Sequence, residues 1–442
     1  MNITVVVPMR RLITIVDTSN ILERLDREAN VNLLLPFPVT NPIERTFDQY
    51  RESRIGRIFR DIVLNSHTML KSAQVKSFET RIRITLGLHL NFFGDYRLNM
   101  RELISKLNKP RTLLTYMVFV VSKSKLMASL FKMCSLIWPS FIRALLKSKP
   151  DIVVIFSGGA FTGVENVCLK ICEILKIPTV LIVDNWDNLS SKSLFWSCPT
   201  GLGVWGKNME NDAKLIHGMQ PKVLKHIGSA RFRPNEHTLI PIEQEFLLFA
   251  GSGKPLINEL DAVFKVRELM NNCGLSCMEL IYRPHPMSEM NMDKIKELLK
   301  SKSNIQIDPS FRDDLTENFY QHETLRYLES LCKYARLVIA PQSTIIVESL
   351  SLGTPVISLN WADAYNRERP LDEYTHLLEL NSTIGYFAPQ SFIELRHAII
   401  EAMQLDFEYN LVPEILPTFD DNYSDRILSL VNETYFKFRD PN

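Results

Sequence analysis

Three stretches in the second half of this chain carry groups that could hold a phosphate. Ser343-Thr344 precedes Glu348 by one helical turn, Arg283-Pro284-His285-Pro286 sets a cation and an imidazole two residues apart, and Gly251-Ser252-Gly253 is a short glycine loop. A hydroxyl pair at a helix start supplies O–H donors beside unpaired backbone N–H groups, and an anion is the natural guest there. Glu348 would share a helix face with Thr344 and could accept hydrogen bonds from a diol such as ribose. A Ser N-cap followed by a solvated Glu fits the same spacing. His285, held between prolines with Arg283 nearby, suits charge developing on a departing phosphate; a rigid turn with a surface histidine is the plainer account. The glycine loop permits close backbone approach to a ligand, and also serves as an ordinary strand-to-helix turn.

The first half offers proton transfer instead. A carboxylate at a strand end could deprotonate a hydroxyl, and the candidates are Asp184, Asp187 and Glu165 in that order. Asp184 follows an apolar strand directly, so the backbone holds it firmly. Asp187 lies in the loop Asp184-Asn185-Trp186-Asp187-Asn188, which could position a hydroxyl. Glu165 sits near the start of a helix, where the dipole favours its charged form and lowers its basicity. Hydrogen bonding within the loop is the structural alternative for each. Trp186 could stack on a ring or fill core. No metal is expected: there is no Asp-x-Asp pair at a strand end, and the spaced pairs Cys168/Cys172 and Cys273/Cys277 fit buried helix faces.

These groups need a scaffold that brings strand ends to one edge. Residues 150–405 alternate in the required way: strands at 152–156, 179–183, 202–205 and 223–227 with helices at 164–175 and 207–217, then strands at 245–250, 278–282, 304–307, 336–340 and 385–387 with helices at 257–270, 293–300, 322–334, 343–352 and 392–403. Such alternation predicts parallel α/β sheets with ligands beyond the carboxyl ends of the strands. The segment 232–244 holds two prolines and no clear period, so the expected domains are 1–232 and 246–405, joined by a linker at 233–245 and followed by a helical tail at 406–442. Ser424 is the expected N-cap of a helix at 424–438. Residues 1–150 are less regular, with strands at 3–7 and 31–35, an apolar segment at 12–16 and a helix at 19–28. No glycine fingerprint follows the first strand, which argues against a dinucleotide cofactor there.

Composition narrows the class. At 442 residues, 45% apolar and 23% charged, the chain suits two globular domains. Seven cysteines, an odd number, suggest free thiols in a reducing cytoplasm. The net charge of +1 gives no reason to expect a nucleic-acid partner. Between Arg101 and Lys149, however, ten basic residues face Glu102 alone, which fits peripheral contact with an anionic membrane through 101–149 and fits equally a solvated basic face over an ordinary core. No signal peptide and no spanning helix are expected.

The order of elements from Pro150 to Leu359, with the glycine loop, the RPHP loop and the STxxxE helix, resembles the GT-B fold, in which two Rossmann-like domains face each other across a cleft. It is similar to UDP-N-acetylglucosamine 2-epimerases and to glycosyltransferases of bacterial surface polysaccharide such as lipopolysaccharide and capsule. The resemblance implies a nucleotide-sugar donor as substrate with no separate cofactor, and a glycan or lipid-linked glycan acceptor. It places Ser343 and Thr344 at the glycines of a diphosphate-binding loop, Glu348 at the ribose and Asp184 at a catalytic carboxylate. Gly251, Ser252, Gly253, Arg283 and His285 fall on the donor side. The RPHP loop also resembles the His-Pro motif of sialyltransferases and Kdo transferases, where the histidine contacts the phosphate of a CMP-activated donor. The resemblance thus implies a metal-independent, inverting glycosyltransferase, with a 2-epimerase or a non-catalytic nucleotide-binding module as the alternatives.

Overall fold

The computed structural model describes residues 1–35, 47–49, 54–72, 110–159, 163–230, 242–251, 259–285, 295–297, 299, 304–309, 322–341, 343–359, 375–407, 409–417 and 422–440. The chain divides into two compact units, Met1–Ala230 with Asp421–Asn442, and Arg231–Asp420. Most of the expected linker, and much of the expected helix at 293–300, lie outside the described residues.

Unit 1 is built on seven parallel strands, β1 (Asn2–Val6), β2 (Asn30–Leu35), β3 (Phe47–Gln49), β4 (Ile152–Ser157), β5 (Thr179–Val183), β6 (Gly201–Val204) and β7 (Val223–His226). Their spatial order is β3-β2-β1-β4-β5-β6-β7. The central strands are runs of Val, Ile and Leu buried on both faces, as a sheet covered by helices on each side requires. The order reverses between β1 and β4, and such a switch point opens a crevice at the strand ends. The doubly wound arrangement is therefore present without the glycine fingerprint. In its place Val7-Pro8-Met9 turns into helix Arg10–Thr18, closed by the Leu12 N–H on the Met9 carbonyl at 3.1 Å. The apolar segment at 12–16 belongs to that helix and buries Leu12, Ile15 and Val16.

The helix Tyr423–Arg439 completes unit 1. Tyr423, Ile427, Leu428, Leu430 and Val431 join the core formed with β1, β4 and β5. Two glycines in β6 make room for it. A Cβ at Gly201 would collide with Thr434, and one at Gly203 would lie 3.1 Å from Leu430. Arg426 then donates to the Ile227 carbonyl at 2.9 Å, and Lys225 pairs with Glu433 at 2.9 Å. The helix starts two residues earlier than an N-cap at Ser424 would allow: Asn422 is the N-cap, and Ser424 lies inside the first turn.

Unit 2 repeats the architecture with six parallel strands, β8 (Phe246–Ala250), β9 (Glu279–Arg283), β10 (Ile305–Ile307), β11 (Leu337–Ala340), β12 (Val356–Ser358) and β13 (Tyr386–Phe387). Their order is β10-β9-β8-β11-β12-β13, so β8 lies between β9 and β11 at the switch point. Leu247, Phe249, Leu280, Tyr282, Leu337 and Ile339 pack with helices Glu259–Asn272 and Phe392–Met403 into one core. Helix Ile345–Ser351 stops at Gly353, whose φ of +83° only glycine adopts without strain.

Candidate functional site

In unit 2 the loops after β8, β9 and β11 leave the same sheet edge, because those strands are adjacent and parallel. Gly251 directly follows β8. Its N–H donates to the Arg283 carbonyl at 2.8 Å, and a Cβ at this position would collide with Glu259 Oε1 and lie 3.1 Å from the His285 backbone nitrogen. Glycine is needed at 251 because two loops touch there. Ser252, Gly253 and Pro286 lie outside the described residues.

Beneath this contact is a buried polar tier. Glu259, 1% exposed, accepts from the Tyr282 hydroxyl at 2.5 Å. Arg283 and Asp308, both buried at strand ends, form an ion pair, and the second Asp308 oxygen accepts from the Tyr327 hydroxyl at 2.9 Å. Sequence reasoning assigned Arg283 to the ligand; the structure places its guanidinium against Asp308 and beside the Tyr327 ring, at 6.0 Å from its centre. Glu259, Asp308 and Tyr327 went unread, although a carboxylate directly after strand β10 was a legible signal for Asp308.

The upper tier is half-buried. His285 titrates well below an ordinary imidazole, at about 4, because burial disfavours its charged form and the Arg283 cation repels it. At neutral pH it is an uncharged ring with one N–H to donate. Ser343 accepts from the Ile345 N–H at 3.3 Å, which leaves its own hydroxyl proton to donate. Thr344 already has helical backbone angles, and its carbonyl accepts the Glu348 N–H at 3.1 Å. The buried Cys332 thiol is pushed up to about 12, chiefly by burial and then by the Glu348 charge.

Unit 1 presents its candidates differently. Asp184 follows β5 and is 6% exposed; its N–H donates to the Ser157 carbonyl at 2.9 Å, and its carbonyl accepts the Trp205 indole N–H at 3.1 Å. Asp187 pairs with Lys192 at 2.9 Å and accepts from the Ser191 hydroxyl at 2.7 Å. Glu165 is fully buried in the first turn of helix Val164–Leu175 and accepts from the Ser157 hydroxyl at 3.4 Å. That hydroxyl in turn accepts the Gly159 N–H at 3.0 Å. Gly159, at φ +89°, lies flat against Lys192, so the loops after β4 and β5 are locked together. Trp186 is core, 4% exposed. His217 fixes the chain beyond, with Nδ1 accepting the Phe195 N–H at 3.3 Å and Nε2 donating to the Leu189 carbonyl at 2.7 Å.

Further along the edge, Glu210 binds Lys214, Lys207 and His226. Chiefly through Lys214, its carboxyl is held down at about 2. Among the described residues no group of three or more His, Cys, Asp or Glu side chains is arranged to hold a metal. Cys168 and Cys172 are buried on one helix face, where their proximity and burial push the Cys168 thiol well up.

No protein-family model matches the chain, and no curated protein matches it by sequence. Solved structures do match it. A protein from Listeria monocytogenes assigned as a UDP-N-acetylglucosamine 2-epimerase superposes with a TM-score of 0.52 at 10% identity, over 99% of this chain and 98% of that one. The UDP-GlcNAc 2-epimerase of Methanocaldococcus jannaschii gives 0.51 at 12% identity, over 98% and 100%. Both matches run nearly end to end, so the chain has the two-unit fold of these epimerases, the GT-B fold.

Proposed function

We propose that this chain is a nucleotide-sugar enzyme, and that its reaction is metal-independent, inverting glycosyl transfer to a glycan or lipid-linked glycan. The observation that carries the reading is the convergence in unit 2 of a neutral imidazole, His285, with Gly251 on the neighbouring loop, at the edge that also carries Ser343, Thr344 and Glu348. A sheet edge at a switch point is where open α/β sheets bind nucleotides, and these groups match a phosphate and a ribose in kind. An uncharged ring can donate to a phosphate oxygen, and the arriving anion would itself favour imidazole protonation as charge builds on the leaving group. In unit 1, Asp184 is the proposed base for the acceptor hydroxyl. A CMP-activated nonulosonate or Kdo-type sugar is the first donor to test, on the likeness of the RPHP loop.

Epimerisation is the second reading, favoured by the fold shared with the two epimerases. Against it, hydroxyls stand at Ser343 and Thr344 where the resemblance puts glycines. Incubation with CMP-, UDP-, GDP- and CDP-activated sugars, followed by chromatography and NMR, separates the cases. Transfer or donor hydrolysis supports a transferase; a changed nucleotide sugar with no acceptor present supports an epimerase; nucleotide binding in a thermal shift with no product supports a binding module. His285→Ala is expected to lower turnover by ~100-fold while donor affinity changes by less than ~3-fold.

A further inference from the structure

One surface of unit 1 reverses the usual orientation of helices. On Pro110–Val121, Leu114, Met117 and Val121 are exposed while Thr115 is buried; on Lys125–Ser135, Leu126, Leu130 and Met133 are exposed while Ser135 is buried. Steps of three and four residues put each trio on one helix face. Both helices pack on helix Arg54–Ser72 and are joined by the tight turn at Ser122, whose N–H bonds the Val118 carbonyl at 2.8 Å. The two stripes end on either side of that turn, at Val121 and Leu126. Exposed Lys123 and Lys125 stand at the same turn, Arg143 and Lys147 are exposed on helix Pro139–Lys147, and the sequence has no acidic residue between Glu102 and Asp151.

We infer that this face docks on the surface of an anionic lipid bilayer, with the Leu and Met stripes at the acyl boundary and the lysines among the phosphates. An outward apolar stripe with a basic border, on a run of sequence that carries no acid, matches a lipid interface in both polarity and charge. This face would lie on the bilayer. No single described helix is long and apolar enough to span; the bent pair Lys125–Ser135 and Pro139–Lys147 passes on length and composition, but its Trp138, Phe141 and Leu145 belong to the protein core. The inference rests on this surface alone, and it would put the proposed enzyme where a lipid-linked acceptor is found.

Flotation of the full-length protein with vesicles, in the absence of any nucleotide sugar, tests it independently of the reaction. Vesicles of phosphatidylcholine with about one-third phosphatidylglycerol at low salt should bind at least ~10-fold more tightly than pure phosphatidylcholine, and molar salt should abolish the difference. Leu126→Ser with Leu130→Ser should cut binding by ~10-fold at an unchanged melting temperature, and Lys123→Gln with Lys125→Gln should remove most of the preference for anionic lipid. Failure of the wild type to float on anionic vesicles would overturn the inference. So would flotation of the serine variant at the wild-type level, or a wild-type dimer that the serine variant converts to monomer, since the face would then cover a second copy.

Discussion

The two units place their candidate residues at different depths on equivalent sheet edges. In unit 2 the anchors and the candidates are separate residues: Glu259, Arg283 and Asp308 are buried and bonded beneath, while His285, Ser343, Thr344 and Glu348 are half-buried above them. In unit 1 the candidates are themselves the anchors. Glu165 and Asp184 are buried, and Asp187 is tied to Lys192 and Ser191. An edge organised in two tiers lets ligand contacts change without loosening the fold. An edge organised in one tier puts fold and function on the same residues, so a substitution in unit 1 can cost stability, whereas those in the upper tier of unit 2 should change binding or turnover and leave stability nearly intact.

The largest effect should come from the lower tier. Arg283→Ala removes the cation paired with the buried Asp308 carboxylate, and breaking such a pair costs about 3–5 kcal/mol. Urea unfolding should show a transition shifted by that amount, with nucleotide affinity lost only as unit 2 unfolds. A stable variant with weakened nucleotide binding would put Arg283 in contact with ligand after all and collapse the two tiers into one.

Next in size is the carboxylate of unit 1. Asp184→Asn should lower transfer by ~100-fold or more with donor affinity intact, because the change removes the base and keeps the shape. Asp187→Asn should instead lower stability by about 1 kcal/mol, through loss of the Lys192 and Ser191 contacts, and leave most of the rate. Initial rates and thermal melts on the two variants decide the order, and an inactive, fully stable Asp187→Asn would exchange their roles.

These assignments show what could be read from residue order. Helix Val164–Leu175 and strand β5 were legible to the residue, since an unbroken apolar run beside a glycine loop admits few readings. The region before 150 was not, because helices Pro110–Val121 and Lys125–Ser135 turn apolar residues outward, and their pattern reports a surface in place of a core. Asp184 ranked ahead of Asp187 because it directly follows its strand, but the partners of neither were legible. The ion pair of Asp187 with Lys192 depends on how the β4 loop packs against Lys192. Glu259 was hidden for a different reason: its partner Tyr282 becomes a neighbour only through the parallel register of Phe249 with Tyr282. The terminal helix was legible as a helix, while its place against β6 depends on Gly201 and Gly203, far away in the chain.

A smaller effect belongs to the upper tier of unit 2. Ser343→Ala with Thr344→Ala removes two hydroxyls and one contact to the Ile345 N–H, and should weaken nucleotide binding by about 1–3 kcal/mol. The two-tier arrangement predicts that urea stability changes by less than ~1 kcal/mol. Calorimetric titration beside unfolding curves tests both halves, and a large loss of stability at constant affinity would make the pair a helix cap and nothing more.

The smallest effect separates the units by pH. His285 titrates at about 4 in the folded chain against an ordinary value of 6.5, so between those values the unfolded chain binds the proton and the folded chain does not. Its contribution is complete above about 6.5 and is lost as pH falls toward 4. Glu210 runs in the same direction lower down: its carboxyl, at about 2 when folded and 4.5 when not, stabilises unit 1 fully above 4.5 and loses that contribution as pH falls toward 2. Acidification should therefore weaken unit 2 first and unit 1 second. Thermal melts between pH 7 and pH 4 on the wild type and on His285→Gln test the first window, since the variant should lose less stability across it. Melts between pH 5 and pH 2.5 on Glu210→Gln test the second. Equal acid sensitivity of wild type and His285→Gln above pH 4 would mean that the imidazole is solvated, and unit 2 would then lack the sheltered donor on which its reading depends.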